Sequence, residues 1–178
     1  KHNNILLIKA YTFKGLKWLE QLVLTGNPLS FIEANGFSGL DTLSSLNIDS
    51  LFLKNIENRA FLGLQNVHSL DLSNNQLTTI CKTMLLGLEQ LIFLDISGNN
   101  INIIEPTTFT HLSNLKSLNS SHNHICCFVM NAKCLPVLKY PQQCLNIYPS
   151  VSLRFTIWII IILGFMLNIQ VIACIKAS

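Results

Sequence analysis

The chain is predicted to fold as an α/β-type solenoid of stacked 24-residue units, with a parallel sheet along its concave side. Three sets of columns carry this expectation. Leu16, Leu40, Leu64, Leu88 and Leu112 recur at a spacing of 24, and Leu22, Leu46, Leu70, Leu94 and Leu118 follow them by six. Phe13, Phe37, Phe61, Leu85 and Phe109 lie three positions before each unit opens. Asn27, Asn75, Asn99 and Asn123 form the last column, which only Leu51 interrupts.

Together these columns spell L-x-x-L-x-x-L-x-L-x-x-N-x-L-x-x-I-x-x-x-x-F-x-x-L, the pattern of leucine-rich repeats. In Leu22-Val23-Leu24 strand alternation turns the two leucines inward and the valine outward. No unit can bury its apolar set alone, so neighbouring units must stack. The asparagines follow the strand, where the chain bends inward. An amide there can donate to and accept from backbone groups that have left the ladder. The phenylalanines are expected to stack as a spine on the convex side, thinned at Leu85. Counting back 24 from Asn27, Leu29, Ile32 and Phe37 lands on Asn3, Ile5, Ile8 and Phe13. The array therefore reads as opening in mid-unit, with no terminal cap or signal peptide, as a fragment of a longer protein.

Composition shifts after the repeats. The acidic residues, nine in all, end at Glu105, and beyond Pro106 the only charges are Lys116, Lys133, Lys139, Arg154 and Lys176. Phe155 to Ile175 is free of charge. At about 1.5 Å rise per residue this run spans roughly 30 Å, the thickness of a bilayer core, whereas strands rarely reach even half that length. A transmembrane helix is expected over 154–176, after repeats over 1–125 and a cysteine-containing cap or hinge over 126–153. The net charge of +3, with no Arg/Lys stripe, gives no support for nucleic-acid binding.

Cys126, Cys127, Cys134 and Cys144 stand between repeats and helix and read as two disulfides of an extracellular cap. A bond between the adjacent pair would be strained, so Cys126 and Cys127 are each expected to bond Cys134 or Cys144. A four-thiolate zinc site is disfavoured because the adjacent pair lacks C-x-x-C spacing. Cys81 and Cys174 are expected to be free thiols. Asn119-Ser120-Ser121 is a glycosylation sequon, placed on a strand. These features put the repeats outside the plasma membrane and Lys176 at its cytoplasmic edge.

The residues Cys144, Arg154, Trp158, Asn168 and Ser178 follow the spacing C-x9-R-x3-W-x9-N-x9-S. With Cys126-Cys127-Phe128, this resembles the junction of hinge and first transmembrane helix in the leucine-rich repeat-containing G-protein-coupled receptors. That family includes glycoprotein hormone, relaxin-type and R-spondin-type receptors, and the short hinge here suits the latter two equally well. The resemblance implies a seven-helix bundle whose first helix carries Asn168 facing its neighbours, and a heterotrimeric G protein as partner through parts of the protein beyond this chain. A polar residue deep in a membrane helix is costly unless it faces protein, which agrees with that placement.

The five histidines, His2, His68, His111, His122 and His124, have no acidic partner at a recognisable spacing, so no catalytic residue, metal or cofactor is expected. Ligand binding is expected on the concave face, through Val23, Asn47, Asp71 and Asp95 in one outward column, with Phe93 and Asp49 beside it. The alternative for these side chains is simple solvation of the strands. Two functions fit: a G-protein-coupled receptor that binds an extracellular protein or peptide hormone, or a single-span leucine-rich receptor or adhesion protein, Toll-like or similar.

Overall fold

The structure is a computed structural model that describes residues 3–129 and 132–136. The chain divides into two compact units, Lys1–Leu138 and Lys139–Ser178, and all described residues belong to the first. The expected membrane helix, Cys144, Asn168 and Cys174 lie outside the described residues. Among those described, no helix is long and apolar enough to cross a membrane.

Each unit contributes one strand of three residues to a parallel sheet: β2 (Gln21–Val23), β4 (Ser45–Asn47), β6 (Ser69–Asp71), β8 (Phe93–Asp95) and β10 (Ser117–Asn119). The register advances by one unit at every step, Leu22 against Leu46, Leu70, Leu94 and Leu118. The central leucine of each strand points into the core. Leu46, Leu70, Leu94 and Leu118 are buried, while Leu22, on a rung with one neighbour, is half-buried. The opposite side carries two-residue strands, in a row β1 (Leu7–Ile8), β3 (Phe31–Ile32), β5 (Asn55–Ile56) and a separate pair β7 (Thr79–Ile80), β9 (Ile103–Ile104). Ile8 is buried against β3, so among the described residues the half-unit at the start contributes an outer strand and no inner one.

The asparagine column works as a clasp. Asn75 Nδ2 donates to the carbonyls of Ile48, Leu72 and Ser73 at 2.9, 3.0 and 3.1 Å, and its Oδ1 accepts the Leu53 N–H at 3.2 Å. Asn99 repeats this with Leu72, Ile96 and Ser97 and the Leu77 N–H. Leu51 is buried in the same column and offers the Leu29 N–H no such acceptor. Asn123 departs from the expectation: it is exposed at the first position of a 3-10 helix, Asn123–Phe128, where the chain leaves the course that the other units follow after their strands.

On the convex side Phe13, Phe37 and Phe61 stack at centroid distances of 5.6 and 5.7 Å, and the aromatic run ends at the buried Leu85. A further column is present at Gly15, Gly39, Gly63 and Gly87, all with φ between 96° and 98°. At Gly87 a side chain would also meet the Leu62 Cα at 2.9 Å, so the turn needs glycine for space as well as for its dihedral.

The cap enters the sheet. β11 (Lys133–Leu135) pairs with β10 in parallel, Ser117 with Lys133, Leu118 with Cys134, Asn119 with Leu135. The 3-10 helix lies under it and closes the core with buried Ile125, Cys126 and Phe128.

Candidate functional site

The outward positions of the six strands form two columns: Gln21, Ser45, Ser69, Phe93, Ser117 and Lys133, and Val23, Asn47, Asp71, Asp95, Asn119 and Leu135. Phe93 and Val23 leave 54% and 56% of their surface in water, so they stand proud of a floor of half-buried serines and amides. The binding residues expected from the sequence therefore share one face, except that Asp49 stands two positions past its strand, in line with Ser73 and Ser97.

These polar side chains also organise the turns that leave the strands. Asp71 Oδ1 accepts the Ser73 N–H at 2.9 Å, and Asp95 Oδ1 accepts the Ser97 N–H at 2.9 Å and its hydroxyl at 2.6 Å. Asn47 Oδ1 accepts the Asp49 N–H at 3.1 Å in the same way. Such side-chain bonds to the backbone two residues on are what Asx residues supply at turns. Simple solvation therefore understates their role. The neutral amide performs the same task, however, so the turn does not demand the charge on Asp71 and Asp95.

Asn119, in the sequon, is half-buried on β10, and its Nδ2 donates to Asp95 Oδ2 at 2.8 Å and to Ser97 Oγ at 3.4 Å. Its amide thus ties the end of the acidic column to the neighbouring rung.

Cys126 is bonded to Cys134, with Cα atoms 5.5 Å apart. Cys127 is disulfide-bonded as well. Cys81 is a free, half-buried thiol among the side chains of Asn58 and Thr83 on the convex side. Glu57 lies on that side too, where its carboxylate accepts the Ala34 N–H at 2.8 Å. His122 and His124 pack edge to face at 5.6 Å beside the disulfide. Burial, and then the neighbouring His122, hold the His124 imidazole below the ordinary histidine range. Among the described residues no group of histidines, cysteines and carboxylates could hold a metal ion.

Sequence reasoning missed Lys133 and Leu135 as members of the outward columns. The available signal was the short alternation Lys133-Cys134-Leu135, in which a cysteine takes the place of the inward leucine.

A model of the leucine-rich repeat family matches residues 1–51, 41–101 and 65–125. Among solved structures, the crystal structure of a TLR13–ssRNA13 complex is similar, with a TM-score of 0.63 and 32% identity over 68% of this chain. The match spans 18% of the length of that chain. No curated protein matches.

Proposed function

We take as premise that the chain belongs to the leucine-rich repeat family, and we propose that it is the ligand-capturing part of a plasma-membrane receptor whose repeats stand outside the cell. The observation that carries this reading is charge the fold does not require. Asp71 and Asp95 hold turns that Asn47 holds without a carboxylate, and the exposed Phe93 stands beside them. Protein interfaces bury aromatic anchors at their centre, and charges around them form a polar rim that selects the partner. The ligand is a protein or peptide with basic groups. An RNA of the kind in the TLR13 complex is disfavoured on this face, because its phosphates would meet carboxylates.

Similarity to TLR13 favours a single-span, Toll-like architecture. The second reading, a seven-helix receptor coupled to heterotrimeric G proteins, is favoured by the spacing of Cys144, Arg154, Trp158 and Asn168. Counting membrane spans in the full-length protein on cells, by surface accessibility of tags placed along it, decides between them. One span followed by a cytoplasmic signalling domain supports the first. Seven spans with ligand-dependent G-protein activation support the second, and a protein secreted without any span removes both.

A further inference from the structure

We infer that the disulfide-held strand β11 is a working part of the ligand face, and that this face takes a polypeptide of split charge. The ligand is basic where it meets Asp49, Asp71 and Asp95, apolar over Phe93, and acidic where it meets Lys116 and Lys133. The inference rests on the ligand-face reading above and adds to it the partner's charge order.

The cap strand is held as firmly as a regular rung. Lys133 N–H donates to the Lys116 carbonyl at 2.8 Å, and Ser120 N–H donates to the Leu135 carbonyl at 2.8 Å, so the ladder extends on both sides of the paired residues. Cys134 takes the register position of Leu94 and Leu118, and its sulfur is bonded to the buried Cys126. With Cys134 turned inward, alternation sends Lys133 and Leu135 outward, and both are exposed. Lys133 falls in the column of Phe93, two strand steps away, or about 10 Å. Lys116 is exposed immediately before β10.

No carboxylate follows Glu105 in the sequence, so none on the last two rungs offsets these two ammonium groups. The acids belong to the rungs of β2, β4, β6 and β8, with the exposed Glu20 in the column of Lys116, and the cations to those of β10 and β11. Three strand steps separate Asp71 from the strand of Lys133, about 14 Å. An extended peptide crossing the strands covers that distance in about four residues. The complementary ligand segment therefore places a basic side chain about four residues from an acidic one, with an apolar residue between them.

Binding is tested by fluorescence anisotropy with the full chain in detergent. The probes are three labelled peptides of equal length with leucines at the centre, flanked by lysines at one end and glutamates at the other, by lysines at both ends, or by glutamates at both ends. The split-charge peptide should bind about tenfold tighter than the others at low salt. The variant Lys116→Glu with Lys133→Glu should shift the preference to the lysine-flanked peptide, and Asp71→Asn with Asp95→Asn should shift it to the glutamate-flanked one. An unchanged ranking in the lysine variant, with the aspartate variant still altered, overturns the role of β11 alone. If neither variant alters any binding, the ligand-face reading itself falls.

Discussion

The middle rungs and the capping rung keep one sheet in register by different chemistry. Between β6 and β8 the partners Leu70 and Leu94 are twenty-four residues apart, and the intervening chain is fixed by buried leucines and by the asparagine clasps. Between β10 and β11 the partners Leu118 and Cys134 are only sixteen apart, and a 3-10 helix and a disulfide replace the outer half of the unit. A full rung is buried on both sides and can rely on apolar contact. Among the described residues the last rung has a strand neighbour on one side only, and a covalent bond adds to its apolar contacts.

The largest effect should come from the middle rungs. Leu72 is wholly buried, and Leu72→Asp places a carboxylate in an apolar core, which should cost roughly 3 kcal/mol or more. Chemical denaturation followed by circular dichroism reads this directly, and a wild-type midpoint would remove the claim that apolar packing is a main support of these rungs. In the cap, Cys126→Ser with Cys134→Ser should cost about 2 to 3 kcal/mol for the lost loop closure. Hydrogen exchange should then rise in Ser117–Asn119, on the strand that β11 covers, and stay low in Ser69–Asp71. Equal exchange in both strands would mean that the disulfide is not what holds the cap strand. Mass spectrometry of non-reduced peptides should also find Cys127 joined to Cys144, since Cys126 is bonded to Cys134. Four free thiols or stoichiometric zinc would break that assignment.

The asparagine column sharpens the contrast within a single residue type. Asn99→Ala strands the Leu77 N–H and the carbonyls of Leu72 and Ile96 in the core, at about 2 kcal/mol. Asn123→Ala, at an exposed position of the cap, should stay within about 0.5 kcal/mol. Comparable costs would show that the two regions differ less than their geometry suggests. The smallest effect is one of pH. The folded His124 binds its proton below the ordinary value of 6.5, so the unfolded chain holds more protons in the window just beneath it. Stability is therefore full above that value and falls as the pH drops through the window. Denaturation midpoints should decline from about pH 7.5 to about pH 5.5, and His124→Gln should flatten the decline.

The regular rungs were legible because burial there repeats with the sequence period. Every leucine column, the phenylalanine spine with its break at Leu85, and the strand positions follow from spacing alone. The cap was legible only in part. The cysteines marked it, but Cys134 gives no hydropathy signal of the kind that Leu118 gives, and a unit shortened to sixteen residues falls out of register with the period. Asn123 was misjudged because its column predicts a clasp only where the chain follows the regular course after the strand, and there it turns into a 3-10 helix instead. On the outward face of the sheet, alternation predicted which side chains point outward. It could not show that Asp71 and Asp95 bond to the turns they precede, because an Asx turn depends on local dihedrals rather than on period.

The clasps have a consequence for how such a chain can change over time. Each joins backbone of one unit to an amide of the next, at sequence separations of 22 and 27 for Asn75 and again for Asn99. The remaining partners lie two or three residues away within the same unit, so none is further than about one period. Gain or loss of a whole 24-residue block, as unequal recombination produces, leaves each surviving clasp with an equivalent partner and changes only the number of strands on the face. A block of any other length separates donors from acceptors at the join. Recombination in register can thus lengthen or shorten the exposed sheet face between descendants while the cap disulfide travels unchanged.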